Sequence, residues 1–204
     1  MRSTKMARGG QSGLSLVEVL VSMLIMALGM VGLAALQART VSYQLGAGQR
    51  AQLAGLLSDY AERVRSNISQ APGQVGSSPY LKVGGWTTQS AAAPEAAEVD
   101  CLAEDTSCNA IELANFDKAQ WLASVRRELP LGSALVEDAG GGALTVTFMW
   151  ADKDRTVDGE TGRTLVTSPQ CTATTTGLNL QSCCPAAAGT VPEGVRCARF
   201  SLLP

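Results

Sequence analysis

The chain has 204 residues, of which 16 are Lys or Arg, 18 are Asp or Glu and none is His, giving a formal net charge of −2 at pH 7. A nearly neutral chain without a basic stripe is not typical of a nucleic-acid-binding protein. The absence of His removes the commonest general base and the commonest metal ligand, and no nucleophile with its base can be assembled from the sequence. The composition therefore predicts neither an enzyme nor a protein that holds a cofactor or a metal.

Residues 14–36 form an apolar run whose only polar members are Ser15, Glu18 and Ser22. Roughly 20 such residues span the hydrocarbon core of a bilayer, so the run predicts a transmembrane helix. The residues ahead of it carry three basic side chains and no acid; the basic residues are Arg2, Lys5 and Arg8. By the positive-inside rule, the N-terminus should lie in the cytoplasm and the rest of the chain beyond the inner membrane, in the periplasm.

An ordinary secretory signal is the alternative interpretation of this segment. The apolar region of such a signal is about 7–15 residues long, and a cleavage site of small residues should follow it. Here the run is longer, no such site separates it from the next predicted element, and Glu18 stands inside it. The transmembrane interpretation is therefore favoured.

The predicted helix continues as an amphipathic helix through residues 37–71, where no Pro occurs. Apolar side chains recur there every three or four residues, which places them on one helix face. They are Leu53, Leu57, Tyr60, Val64 and Ile68. Pro72-Gly73 is a stop signal, so we expect one helix from Leu14 to about Ile68 whose second half packs against a globular head.

Residues 72–204 are numerous enough for one small head. Residues 73–100 are rich in Gly, Ser, Ala and Pro and predict a surface loop. A helix with Asn115 as its N-cap should then run to Leu129. The predicted strands are 143–150, 163–167 and 195–203, with a turn over 152–162. The expected fold class is α+β, with a small antiparallel sheet packed on the amphipathic half of the long helix.

All six cysteines follow the transmembrane segment, on the side where oxidation is favoured. They are Cys101, Cys108, Cys171, Cys183, Cys184 and Cys197. An even number predicts a disulfide framework, which allows 15 pairings. Cys101 and Cys108 enclose a short loop and are a candidate pair, whereas a bridge between adjacent Cys183 and Cys184 would be strained. A zinc site of four thiolates is the alternative, but the C-x2-C spacing typical of one is absent.

The stretch from Asp154 to Gly159 begins like an EF-hand calcium loop. Leu165 stands where that loop needs its last carboxylate, so a solvated hairpin turn is favoured. The three Trp residues are interpreted as core or partner-contact residues. They are Trp86, Trp121 and Trp150.

Gly13, Leu14 and Glu18, with the apolar run that follows, resemble the cleavage signal of type IV pilins and pseudopilins. The resemblance implies that a prepilin peptidase removes residues 1–13 by cutting between Gly13 and Leu14, and that the new N-terminus is methylated. The commonest residue of the family at the position of Leu14 is Phe. Removal of three basic residues leaves 13 basic and 18 acidic residues, a net charge of −5.

Glu18 needs a physical explanation, because an unpaired carboxylate in lipid costs several kcal/mol. We expect it to dock on the free amine of Leu14 of a neighbouring subunit, which would fix the axial register of the two helices. Alternatively, Glu18 lies close enough to the helix start for its side chain to reach the cytoplasmic interface.

Scattered features of the head resemble the PilV group of minor pilins. They are Arg63, Arg65-Ser66-Asn67, Cys101 with Cys108-Asn109, Asp117 with Trp121, Leu129-Pro130 with Gly132, and Val146 to Trp150 with Asp152. The resemblance implies a subunit that helps to initiate or cap the pilus. Its partners would be other minor pilins, the major pilin, the prepilin peptidase and the inner-membrane assembly platform. A minor pseudopilin of a type II secretion system and a tip adhesin or other binding module stay open as alternatives.

Overall fold

The structure is a computed structural model and describes residues 15–159 and 162–204. Its first element, α1, is a helix over Leu16–Ser66, and a 3-10 turn follows at Ile68–Gln70. Between Gly48 and Gln49, within this helix, the chain divides into two units. We call Gln49–Pro204 the head unit. The predicted long helix is confirmed, and it ends two residues before the predicted end.

In the first unit, α1 contains a stretch over Leu16–Ala38 that is long and apolar enough to cross a membrane, and none of it is buried. Gly29 and Gly32 lie within this stretch without interrupting the helix. The helix here has apolar side chains on every side, which is typical of a segment whose surroundings are lipid or other helices rather than water.

The head unit contains three further helices: α2 over Trp86–Ala91, α3 over Ala110–Glu128 and α4 over Leu178–Ser182. A second 3-10 turn covers Ala186–Ala188. The strands are β1 (Ser133–Gly140), β2 (Ala143–Ala151), β3 (Thr156–Gly159), β4 (Gly162–Leu165) and β5 (Val195–Leu202). Strands β1, β2 and β5 form an antiparallel sheet in that order, and β3 pairs with β4 in a separate hairpin. The predicted α+β class is confirmed.

The main core lies between the last turns of α1, helix α3 and one face of the sheet. Leu53, Tyr60 and Val64 contribute to it as predicted, but Leu57 is only partly buried and Leu56 takes its place. Ile68 is half exposed, because it follows the end of the helix and no longer continues the buried face. The opposite face of the sheet is covered around Leu135 and Met149 by a second cluster that includes Trp86.

Three local predictions need correction. The N-cap of helix α3 is Asn109, six residues before the predicted cap Asn115. Asn109 accepts hydrogen bonds from the N–H groups of Ile111 and Glu112, and the Glu112 carboxylate accepts one from the Asn109 N–H. This reciprocal capping box satisfies the first N–H groups of the helix. Residues 73–100 are not only a loop, because they contain α2. The predicted turn over 152–162 contains β3, so the hairpin begins earlier.

The outer edge of β1 is closed by two neighbours. The backbone groups of Lys82 and Val136 exchange hydrogen bonds of 3.0 and 2.9 Å. Two residues away, the side-chain amide of Gln89 takes the place of a strand: it donates to the Ala134 carbonyl at 3.0 Å and accepts from the Ala134 N–H at 3.3 Å. Both backbone groups of Ala134 that point away from β2 are therefore satisfied without another strand.

Candidate functional site

Glu18 lies in the first turn of α1, where the positive end of the helix dipole favours a carboxylate. The Glu18 N–H donates to the Ser15 carbonyl at 3.0 Å and to the Ser15 hydroxyl at 3.3 Å. One turn later the Ser22 hydroxyl donates to the Glu18 carbonyl at 2.8 Å. Gly13 and Leu14, the predicted processing residues, lie outside the described residues. The structure thus places Glu18 at the start of the apolar helix.

The surface around Glu18 is apolar. A shallow depression runs along the helix beside it and is lined by Glu18, Val19, Ser22, Met23 and Met26. Farther along the same helix, aliphatic side chains such as Leu24 and Leu28 are more than half exposed. Since an apolar patch of this extent is unstable in water, it marks a surface for lipid or for other helices.

The head unit contains a partly buried polar network that holds α1 to α3. Arg63 donates to Asp117 at 3.1 Å, and its Nε lies 3.1 Å from both carboxylate oxygens of Asp59. The Tyr80 hydroxyl lies 3.1 Å from the second oxygen of Asp117 and 3.2 Å from the Arg63 carbonyl. The Tyr60 hydroxyl donates to the Tyr80 carbonyl. The carboxylate of Asp117 is thus satisfied although its side chain is only 12% exposed.

Two further contacts fix α1 in the head unit. The Trp121 indole N–H donates to the Leu56 carbonyl at 2.8 Å, and the Trp121 ring lies 4.1 Å from that of Tyr60 between centroids. The Asn67 amide donates to the Ala110 carbonyl at 2.7 Å, at the start of α3. Together with the Arg63–Asp117 ion pair, these bonds tie the last turns of α1 to the start and the middle of α3.

Burial raises the pKa of the Tyr60 phenol well above its ordinary value, and the nearby Tyr80 and Asp117 raise it further. Burial is also the largest cause of the raised pKa of Tyr80. Both phenols are completely buried. At neutral pH they therefore act as neutral hydrogen-bond donors, and nothing in this arrangement favours proton transfer.

A groove of about 810 Å³ lies between α3 and the segment 92–99. Lys118 lines it, but its ammonium group is already occupied by the carbonyls of Pro79 and Leu81 and by the amide oxygen of Asn115. Burial lowers the pKa of Lys118, and nearby Lys82 lowers it further. Lys118 therefore serves as a clamp between α3 and the residues before α2 rather than as a free cation for a ligand.

Three disulfides join Cys101 to Cys108, Cys171 to Cys183 and Cys184 to Cys197. The adjacent residues Cys183 and Cys184 thus belong to different bridges, and the second of these bridges anchors the chain to β5. Within the parts of the chain that the structure describes, no group of three or more potential ligands could hold a metal ion.

The stretch that begins like a calcium loop forms the β3–β4 hairpin. The carboxylate of Asp152, just before this hairpin, lies 2.7 Å from Arg196 of β5 and also accepts a hydrogen bond from the Asp154 N–H. A carboxylate engaged in this way supports the turn and leaves little charge to attract a cation.

The part of the network that sequence reasoning missed is Tyr80. It lies in a segment predicted to be a surface loop, yet it is completely buried. The available signal was Asp117, a carboxylate among the apolar positions of α3, which must find donors if it is buried. The sequence distance of 37 residues between Tyr80 and Asp117 hides the identity of the donor.

Residues 8–34 match the family model described as the prokaryotic N-terminal methylation motif. The segment is a type IV pilin-like leader with the first turns of its helix, and it implies processing by a prepilin peptidase and handling by the pilus assembly machinery in general. Proteins with this motif are structural rather than enzymatic. The apolar helix and the α+β head unit with its disulfides are consistent with a pilin-like fold. No curated protein and no solved structure is similar enough to this chain to count as a match.

Proposed function

We propose that this protein is a minor pilin that enters a type IV pilus through the apolar part of α1. The observation that carries the proposal is the coincidence of two findings at one place. The methylation motif over residues 8–34 covers the start of a helix that is apolar, unburied and long enough to span a membrane. The protein helps to initiate or cap the pilus together with other minor pilins.

Glu18 acts as the docking residue in this proposal. Cleavage between Gly13 and Leu14 leaves a free amine at the start of each helix. The carboxylate of Glu18 pairs with the amine of Leu14 on a neighbouring subunit, which offsets the cost of holding a charge in lipid. The apolar depression beside Glu18 supports this role, because it leaves the carboxylate accessible to a second helix.

The proposed location is the inner membrane, with the N-terminus in the cytoplasm and residues 72–204 in the periplasm, followed by transfer into the pilus. Two observations support this orientation. The three basic residues of the leader precede the apolar helix, and the three disulfides belong to the part of the chain that would lie in an oxidising compartment.

The PilV group is the proposed subgroup. Among the residues on which that resemblance rests, Arg63, Asp117 and Trp121 make the buried bonds between α1 and α3. A minor pseudopilin of a type II secretion system is the second candidate, since the same leader serves both machines. Genes for pilus components beside this one would favour the first candidate, and genes for secretion components the second.

The first test is the N-terminal sequence and mass of the mature protein purified from membranes. We expect a chain that starts at Leu14, with or without one methyl group. A chain that retains Met1, or that starts beyond Leu36, would contradict the proposal.

The second test is Glu18→Val, with Ser22→Val as a control that removes a polar group one turn away. Both variants should be cleaved and inserted into the membrane. Only Glu18→Val should lose incorporation, because it alone removes the charge that pairs with the amine. Immunoblots of sheared pili and of membranes measure the amount of the protein in each. A normal amount of the Glu18→Val protein in pili would show that the carboxylate does not dock the subunit.

A further inference from the structure

The three disulfides differ in their access to solvent. Cys101, Cys108 and Cys171 are partly exposed, whereas Cys184 is 0% and Cys197 is 1% exposed. Thiol–disulfide exchange requires that an attacking thiolate reach a sulfur atom. The Cys184–Cys197 bridge is therefore protected while the head unit is folded, and the other two bridges are open to attack.

A cation lies beside the Cys171–Cys183 bridge. Nη1 of Arg199, on β5, lies 3.7 Å from Sγ of Cys171. Within residues 15–159 and 162–204, Arg199 makes no ion pair. The loop that this bridge closes, residues 172–182, contains no charged residue. The guanidinium charge of Arg199 can therefore attract an attacking thiolate to this bridge and stabilise a thiolate that leaves it.

The Cys101–Cys108 bridge has the opposite electrostatic surroundings. Asp100 precedes it, and the carboxylate of Asp100 accepts a hydrogen bond of 3.0 Å from the first N–H inside the loop. Glu104 and Asp105 lie within this short loop, and no basic residue does. Negative charges repel an attacking thiolate, so this bridge should exchange more slowly although both of its cysteines are partly exposed.

The loop over residues 172–182 contributes nothing to the core. None of its residues is buried, including those of α4. Its base is held by other bonds: the Cys171 N–H donates to the Cys184 carbonyl and the Cys184 N–H to the Pro169 carbonyl, both at 2.9 Å. The bridge from Cys184 to Cys197 also ties this base to β5. Opening of the Cys171–Cys183 bridge should therefore free the loop and leave the core in place.

We infer that the Cys171–Cys183 bridge is a redox-sensitive site, which a dithiol reductant opens to release the loop over residues 172–182 while the head unit stays folded. The attack falls on Cys171, because Cys183 is only 1% exposed. A thiolate of the reductant bonds to the Cys171 sulfur, the S–S bond breaks, and the Cys183 sulfur leaves as a thiolate and takes up a proton. The Leu180 carbonyl lies 3.6 Å from this sulfur and can accept a hydrogen bond from the new thiol.

The second half of the reaction releases Cys171. The other thiolate of the reductant attacks the sulfur that is bonded to Cys171, and Cys171 leaves as a thiolate beside Arg199 and takes up a proton. The bridge has then gained two electrons and two protons, and the reductant has become a disulfide. Arg199 assists both steps, since the first brings a thiolate to Cys171 and the second forms one there. This site does not depend on the proposed role of Glu18 or on the kind of filament.

The test treats the full-length protein, purified from membranes in detergent, with increasing concentrations of dithiothreitol. Alkylation of the freed thiols followed by mass spectrometry measures the rate at which each bridge opens. The Cys171–Cys183 bridge should open first and the Cys101–Cys108 bridge later. The Cys184–Cys197 bridge should stay closed as long as Trp fluorescence shows a folded head unit. Hydrogen exchange should rise over residues 172–182 when the first bridge opens.

Three variants test the role of the charge. Arg199→Gln should slow the opening of the Cys171–Cys183 bridge about fivefold, which is the effect of a unit charge about 4 Å away in water. Arg199→Lys should retain most of the rate. Arg127→Gln is the matched control, since it removes an exposed positive charge on α3 and should leave the rate unchanged. In about 1 M salt, where the Debye length is about 3 Å, Arg199→Gln should differ less from the unsubstituted protein.

The inference is overturned if the Cys101–Cys108 bridge opens first, or if Arg199→Gln opens its bridge as fast as Arg127→Gln does in dilute buffer. Loss of the folded Trp fluorescence together with the Cys171–Cys183 bridge would also overturn it, because this bridge would then hold the fold rather than a loop. If Arg199→Gln does not fold, the order of opening in the unsubstituted protein decides.

Discussion

Helix α1 contains two stretches that share one secondary structure and differ in what covers them. Over Leu16–Ala38 the helix is apolar on every side, and no residue is buried. Over Leu53 to Val64 only one face is apolar, and it packs into the core with α3 and the sheet, so that Leu53, Tyr60 and Val64 are buried. The distribution of apolar residues around the helix therefore predicts what surrounds it. A helix with one apolar face buries that face within its own chain, whereas a helix that is apolar on all sides requires lipid or other chains.

The largest expected effect comes from the same substitution in each stretch. Leu53→Ala removes a side chain that is 3% exposed and should lower the free energy of unfolding of the head unit by about 3 kcal/mol. Leu28→Ala removes one that is 66% exposed and should change it by less than about 0.5 kcal/mol. Urea unfolding of the full chain in detergent, followed by Trp fluorescence, measures both. Equal effects of the two substitutions would break the comparison.

The next prediction concerns alkaline pH and the buried stretch. The pKa values of Tyr60 and Tyr80 are raised in the folded protein, whereas an unfolded chain has a tyrosine pKa of about 10. As the pH rises past about 10, the unfolded chain loses protons first. The free energy of unfolding should then fall by up to about 1.4 kcal/mol per pH unit for each tyrosine.

Tyr60→Phe isolates this contribution. The variant is less stable at neutral pH because it loses the hydrogen bond to the Tyr80 carbonyl. Its stability should nevertheless fall less steeply. Between about pH 10 and 11 it should lose about 1 kcal/mol less than the unsubstituted protein, because the unfolded tyrosine is only partly ionised over this range. Effects of Lys118, whose pKa is lowered, are common to both proteins and cancel. If the free energy of unfolding had the same pH dependence in both proteins, the pKa of Tyr60 would not be raised in the folded state.

The smallest expected effect is Gly55→Ala in α1. A Cβ at this position meets no atom within 4 Å, so the change gains helix propensity without a clash. The head unit should become about 0.5–1 kcal/mol more stable. Gly132→Ala is the contrasting control, because a Cβ there overlaps the Val125 carbonyl oxygen and should destabilise the head unit. The urea midpoints of unfolding measure both effects. If Gly55→Ala were destabilising, the added methyl group would meet other atoms at this position.

The sequence predicts α1 and β2 well because both have strong periodic patterns. Strand β1 was missed for a physical reason. Its first four residues are buried on both faces of the sheet, so Ala134, Leu135 and Val136 form a continuous apolar run instead of an alternating one. Helix α2 has six residues, too few to show a helical period.

The start of α3 was predictable and was misplaced. Asn109 and Glu112 have the spacing of a capping box, and that signal should outweigh a lone Asn115 near the apolar positions. The network around Asp117 was only partly predictable, because its donors Arg63 and Tyr80 are far away in sequence and only the fold brings them together. Gly13 and Leu14 remain predictions, since they lie outside the described residues.

The amide of Gln89 has a consequence for the protein before it joins any filament. An open strand edge is a template on which another chain adds a strand, and copies tethered to one bilayer, as proposed here, collide often. The Gln89 side chain occupies both outward backbone groups of Ala134. It thereby hinders unassembled subunits from pairing through this strand edge. At this position, the outer edge of β1 is therefore closed to a strand from another copy.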